Sequence, residues 1–142
     1  MTKNEIFEAI TKNPAFYLAT VEGDQPRVRA MLLYRADEEG ILFHTAVKKD
    51  VYKQMCSNHK VELCFSCSGT QIRISGELEL IDDNNLKDEI VEHPSRGFLK
   101  AWKENGAFQN FYEDIAVFRM KNGTAFPWSM DKNFTPKEFV QL

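Results

Sequence analysis

The spacing of apolar positions changes repeatedly along the chain, and each change marks an element. Ile6, Phe7 and Ile10 form the stripe of a short helix, opened by Thr2 and Glu5 at capping-box spacing and stopped at Asn13-Pro14. Phe16–Val21 reads as a strand, and Glu22–Pro26 as a polar turn. A second strand spans Arg27–Ala36, with Val28, Ala30 and Leu32 on one face and Arg27, Arg29 and Met31 on the other. Asp37–Gly40 turns into a third strand, Ile41–Thr45, so two successive hairpins predict a meander. Lys48–Asn58 has helical spacing through Val51, Tyr52 and Met55. Val61–Ser66 is a fourth strand, turned by Ser68-Gly69-Thr70. In the fifth and clearest strand, Ile72, Ile74, Gly76, Leu78 and Leu80 alternate with Arg73, Ser75, Glu77 and Glu79. Helical stretches cover Asp83–Glu92 and then run to Trp102, with a stop at His93-Pro94. Ile115–Met120 is a sixth strand, and Asn122-Gly123 reads as a hairpin turn into a short seventh, Thr124–Trp128. The tail Ser129–Leu142 carries Pro136 and is expected to wrap over the rest.

Strands at this spacing, with helices between pairs, predict a mainly β fold with flanking α: an antiparallel barrel of six to seven strands. One domain over 1–142 is expected from the length. A barrel this small has no wide lumen, so a ligand would sit on its outside or at a subunit interface. Composition narrows the partners. Eighteen Lys and Arg against twenty-one Asp and Glu give a net charge of −3, which argues against nucleic acid. No apolar run approaches the roughly 18 residues a membrane span needs. The opening MTKNEIFEAI has acids and no apolar signal core, and three cysteines read as reduced thiols. A small cytoplasmic protein is the expectation.

The pattern offers one candidate for chemistry. Arg27 and Arg29 share a strand face, Thr45 ends the next strand, and Lys48-Lys49 opens a helix whose N-terminus favours anions. These residues suit a phosphate, or else form a solvated basic edge. No P-loop or dinucleotide fingerprint occurs. Cys56-x-x-His59 and Cys64-x-x-Cys67 hold zinc-ligand types, but the loop between them is too short, and Cys64 and Cys67 would face opposite ways. No metal site is therefore expected. His44, His59 and His93 are scattered, and no Ser or Cys sits in a nucleophile elbow. Glu77 and Glu79 lie on a solvated face, and Trp102, Phe108, Phe111 and Tyr112 suit a core or a dimer contact.

Beyond these patterns, Phe16-Tyr17-Leu18-Ala19-Thr20 with Gly23–Met31 resembles the opening of the pyridoxamine 5′-phosphate oxidase-like superfamily. The likeness continues through Leu42–Thr45, Lys49–Gln54, Gln71–Gly76, Pro127–Met130 and Pro136–Leu142, and is greatest to the small nitroimidazole-resistance (Nim-type) and general-stress flavoproteins. The resemblance implies an FMN-binding split barrel working as a homodimer, with FMN at the subunit interface. It implies that Arg29, with Met31, Leu32 and Leu33, lines the phosphate and flavin ring, with backbone of Arg29 to Met31 against the ring and Arg27, Val28 and Ala30 among the cofactor-binding residues. Thr45, Lys48 and Lys49 would serve the phosphate, and Gln71 would hydrogen-bond the flavin. Trp128 is a candidate to cover it from the partner chain, though core packing or anchoring of the tail is the role expected first.

The chain also departs from the oxidases. Tyr34 stands where they have lysine, Asp50-Val51 replaces their phosphate-binding Arg-Lys, and Glu89, His93 and Gly97 occupy their substrate positions. A site for pyridoxal phosphate would need a cation and hydroxyls there. The expectation is an FMN-dependent reductase of small electron acceptors such as nitro compounds, with a small-molecule electron donor, and not a vitamin B6 oxidase. The alternative is a non-catalytic flavin- or haem-binding stress protein on the same barrel.

Overall fold

Residue Leu33 still bonds back to the first strand's side, whereas its neighbour Tyr34 bonds across to the opposite side. The Leu33 N–H donates to Pro14 O and the Tyr34 N–H to Leu42 O. This change of partner breaks the expected strand Arg27–Ala36 into two. The computed structural model describes residues 1–142, beginning with α1 (Lys3–Lys12), β1 (Ala15–Glu22), β2 (Gln25–Leu32) and β3 (Arg35–Asp37). There follow β4 (Gly40–Ala46), α2 (Asp50–Ser57), β5 (Lys60–Cys67), β6 (Thr70–Ile81) and α3 (Asn84–Glu92). The chain ends with α4 (Gly97–Glu104), α5 (Phe111–Asp114), β7 (Ile115–Met120), β8 (Thr124–Trp128) and β9 (Val140–Gln141).

The strand order is β2-β1-β5-β6-β7-β4-β3, with β8 on β6 and β9 on β8. The strands are antiparallel throughout, and the sheet curls into a barrel that no ladder closes. Its two edge strands, β2 and β3, follow each other in the chain, so the predicted meander is corrected: the two hairpins lie at opposite ends of the sheet. Nine strands replace six to seven because the second strand splits and the tail adds β9. The expected hairpin at Asn122-Gly123 is also corrected. β7 and β8 both pair with the long β6, at Leu78–Ile81 and Gln71–Ser75 respectively, so Asn122-Gly123 is a kink in one path along it. Asn122 has φ of 56°, and a Cβ on Gly123 would meet Ile74 Cγ2 and Met120 Sδ at 2.9 Å.

Alternation places Phe16, Leu18, Leu63, Phe65, Ile72, Ile74, Phe43 and Phe118 inside the barrel, where Phe16 stacks on Phe65 and meets Phe43 edge-on. Leu80, at the far end of its strand, is 47% exposed. A second core lies on the other face of β4 and β7, where Leu42 and Val117 pack under Ile90, Val91, Leu99 and Phe111. α1 is capped as expected, with Glu5 N–H donating to Thr2 Oγ1 at 3.2 Å and Thr2 N–H to Glu5 Oε2 at 2.6 Å. No helix is long and apolar enough to cross a membrane.

Candidate functional site

Inward positions of β1 read Phe16, Leu18, Thr20, and the last of these puts a hydroxyl where the barrel meets α2. Arg29, directly opposite Leu18 on β2, turns its side chain to the same face. Its guanidinium donates to Leu18 O at 3.1 Å, to Thr20 Oγ1 at 2.7 Å, and to Gln54 Oε1 of α2. All three acceptors are neutral. Thr20 in turn donates to Gln54 Oε1 at 2.6 Å, and both residues are buried. The Gln54 amide donates to Glu22 Oε2 at 3.1 Å, and Glu22 Oε1 pairs with Arg27 at 3.1 Å. The Gln54 bond first, and then Arg27, holds the Glu22 carboxyl below its usual range.

Gln54 lies four residues after Asp50, the first residue of α2, so Arg29 is anchored about 6 Å along the axis from the helix start. Lys49 is the N-cap, with an extended backbone and no side-chain bond to the first-turn amides; Tyr52 N–H donates to Lys49 O at 3.1 Å, which leaves the Asp50 and Val51 N–H groups open. Lys48 and Lys49 are exposed, and Thr45 is buried on the inward face of β4. An arginine whose direct partners are all neutral, two lysines and an open helix N-terminus share one end of the barrel. That donor set fits a phosphate group.

The remaining predicted residues form a second group elsewhere. Gln71 and Trp128 are direct partners across β6 and β8. Neighbouring Ile72 points into the core, so Gln71 and Trp128 lie on the outer face, opposite to that of Arg29. Three strand spacings also separate β2 from β6, roughly 14 Å. The chain therefore brings Arg29, Thr45, Lys48 and Lys49 to one end, and Gln71 and Trp128 to another face. Between them on the outside of β2 lie Val28, 69% exposed, and Ala30, also exposed, while Met31 packs at the edge of the core and Leu32 is half-buried.

Just past the apolar run that follows Arg29, the Tyr34 hydroxyl donates to Glu89 Oε2 at 2.6 Å. Burial first, and then Glu89, pushes the phenol up to about 12. Beneath the ring lies Arg96, 1% exposed, with its guanidinium carbon 5.4 Å from the Tyr34 centroid. Arg96 donates to His44 Nε2 at 2.8 Å, to Leu33 O at 2.8 Å and to Leu32 O at 3.2 Å. Burial, helped by that cation, lowers His44 to about 4. Sequence reasoning missed Thr20, Glu22, Gln54 and Arg96. Thr20 carried a signal, as a polar residue in an inward slot, whereas Arg96 follows a helix stop and has no periodic signature. Cys64 is half-buried on the outer face and Cys67 is buried, its thiol 3.7 Å from Ala9 O.

The sequence profile of the family described as pyridoxamine 5′-phosphate oxidase matches residues 2–121. Pyridoxine/pyridoxamine 5′-phosphate oxidase of Shewanella woodyi is 32% identical over 98 residues, 67% of this chain and 46% of that protein. The chain spans about half the length of the curated relatives it matches. Among solved structures, a NimC/NimA family protein from Clostridium acetobutylicum aligns with a TM-score of 0.76 at 27% identity, covering 99% of this chain and 93% of that one. A pyridoxamine 5′-phosphate oxidase-related, FMN-binding protein from Nostoc punctiforme shares the fold, with a TM-score of 0.61, 16% identity and coverage of 98% and 95%. The family profile alone covers well over half of the sequence, and on that ground the chain belongs to the pyridoxamine 5′-phosphate oxidase family.

Proposed function

We propose that this protein is a cytoplasmic homodimeric FMN-binding oxidoreductase that passes electrons from a small-molecule donor to small acceptors such as nitro compounds. The observation that carries the reading is Arg29, bonded to three neutral oxygens and to no carboxylate, one helical turn from the open start of α2. Arg29 is half-buried, and an anion on its open side would supply the direct counter-charge that its three neutral partners lack. Arg29, Lys48, Lys49 and Thr45 would hold the phosphate, and the backbone of β2 from Arg27 to Leu32 would lie along the ring. Gln71 and Trp128 sit on the opposite face of the same sheet, so a second copy is needed to bring them to that ring. The FMN-binding neighbour on the same fold supports the choice of cofactor.

When bound, FMN supplies the redox chemistry, and the protein's task is to hold and orient it. The chain's own groups hold the phosphate charge at Arg29 and cover apolar surface with Met31 and Leu32. Glu89, which takes the Tyr34 hydroxyl at 2.6 Å and pairs with Arg35 at 3.4 Å, stands where a pyridoxal phosphate site would need a cation, which counts against a vitamin B6 oxidase. A haem reading draws no support from His44, whose Nε2 accepts from Arg96 at 2.8 Å; His59 and His93 each keep a ring nitrogen free, and a Soret band on haem titration would distinguish that reading.

The test is a visible spectrum after mixing with FMN and desalting. Flavin bands retained by the wild type and weakened in Arg29→Ala and Lys49→Ala are expected, with turnover of a nitro acceptor from NADH or NADPH. A colourless protein would sink the reading.

A further inference from the structure

Arg96 is the most deeply buried cation of the protein, 1% exposed. It stands just ahead of α4, and its guanidinium reaches across to the end of β2. One amino group donates to Leu33 O at 2.8 Å and Leu32 O at 3.2 Å, the other to Ser95 Oγ at 3.2 Å, and the Nε–H to His44 Nε2. Tyr34 and Phe98 close it off, with ring centroids 5.4 and 5.8 Å from the guanidinium carbon. Every acceptor is neutral, His44 included, and Arg96 enters none of the protein's ion pairs.

Burial lowers the arginine's hold on its proton, yet a guanidinium stays charged wherever proteins fold. An ion this deep with no counter-ion is expensive. Carbonyl oxygens need only a donor, which a neutral amide supplies; what the guanidinium adds is a full positive charge. The carboxylate of this corner does not offset it, because Glu89 takes the Tyr34 hydroxyl and pairs with Arg35. Sealed from water, the charge of Arg96 is less screened than that of an exposed lysine and acts over a longer range.

Leu32 ends β2, three residues beyond Arg29 and about 10 Å along the strand. The two arginines therefore hold opposite ends of the segment proposed to carry FMN, Arg29 facing the phosphate and Arg96 bonded where the ring-lining backbone ends. We infer that Arg96 is a fixed buried charge that raises the reduction potential of the bound flavin. A reduced nicotinamide gives up a hydride, two electrons with one proton, and leaves as its oxidised cation; the flavin ring that takes the hydride gains one negative charge. A fixed cation favours that charged product over the neutral oxidised ring. The inference rests on the oxidoreductase reading and adds to it the residue that makes the flavin a readier electron acceptor.

The full chain saturated with FMN is titrated with dithionite beside a redox dye of known potential, and the reduced fraction is read from the visible flavin band. Arg96→Met should shift the ratio of reduced to oxidised flavin about tenfold toward oxidised at a given ambient potential, about 30 mV for a two-electron couple. His44→Glu keeps an acceptor for the arginine Nε–H and adds the missing counter-charge, so it should shift the ratio the same way even if Arg96→Met does not fold. Arg96→Lys keeps the charge and should hold the wild-type potential while restoring little stability, a separation that a purely structural role would not give. The neutral His44→Gln should also leave the potential in place. Unmoved potentials in Arg96→Met and His44→Glu overturn the inference. So does Arg96→Lys falling as far as Arg96→Met, or His44→Gln moving as far as His44→Glu. Flavin retained with an unmoved potential leaves the oxidoreductase reading standing, whereas a wild type that retains no flavin ends both.

Discussion

Arg96 and His44, 52 positions apart, are joined by a 2.8 Å bond from the arginine Nε–H to the imidazole Nε2. The same guanidinium holds Leu32 O and Leu33 O, the point at which the chain leaves β2 for β3. One buried side chain therefore fixes the break between the two sheet edges. It also fixes the histidine tautomer, because an Nε2 that accepts must leave the proton on Nδ1. Replacing Arg96 by Met keeps volume but strips two carbonyls and an imidazole of their donor. A loss of about 3 kcal/mol is expected, read as a lower urea midpoint at constant slope. Arg96→Lys should recover less than half, since one ammonium cannot span the three acceptors. A loss below about 1 kcal/mol would mean that water replaces the guanidinium.

The same pair gives a pH dependence. Burial first, and Arg96 second, lowers His44 from 6.5 to about 4, so the unfolded chain binds more protons between those values. Above 6.5 both states are neutral at this position and nothing is lost. As pH falls through the window the unfolded state gains, and about 2 kcal/mol of stability should disappear between pH 7 and pH 5. Gln at position 44 keeps an acceptor for Arg96 and does not titrate. Urea midpoints of His44→Gln should therefore be flat where the wild type slopes, and equal slopes would refute the assignment. Carboxylates such as Glu22, whose values are lowered, lose their contribution at more acidic pH.

Two glycines separate packing from backbone freedom. A Cβ at Gly123 would stand 2.9 Å from Ile74 Cγ2 and Met120 Sδ, at the kink where β7 passes into β8. Gly123→Ala should cost about 1 to 3 kcal/mol through overpacking. Gly97 opens α4 with φ of −54° and has nothing within 4 Å of its would-be Cβ. Gly97→Ala should instead stabilise by about 0.5 kcal/mol, by restricting the unfolded chain. Thermal melts of the two variants moving in the same direction would contradict the kink's role.

What the sequence disclosed follows from range of interaction. α1, with its Thr2–Glu5 cap, and the alternation Ile72-Ile74-Leu78 are local signals, and both elements stand where they were expected. The split at Leu33-Tyr34 is not local: Pro14 and Leu42 take those two N–H groups from opposite sides, and no residue nearby announces it. Asn122-Gly123 has the chemistry of a hairpin turn, yet β6 is long enough to accept β7 and β8 in succession, so tertiary pairing overrides it. At the site, Arg29 and Lys49 were legible as charges on adjacent elements. Glu22 and Gln54 were not, because only folding α2 against β1 brings them to Arg29.

Glu22 gives the most direct test of the anion site. It is the carboxylate in the network, taking Gln54 Nε2 at 3.1 Å and Arg27 at 3.1 Å, while Arg29 itself touches none. An incoming phosphate at Arg29 would feel this charge through Gln54, and Glu22→Gln removes it while keeping a polar side chain of the same length. FMN affinity, followed by quenching of flavin fluorescence, should rise about three- to tenfold at low salt. The gain should shrink as salt is added, because exposed charges are screened over about 8 Å at physiological ionic strength. Inorganic phosphate should compete more strongly against FMN in the variant for the same reason. If affinity is unchanged at every salt concentration, the phosphate does not lie at Arg29, and the lysines ahead of α2 must bind it alone or not at all.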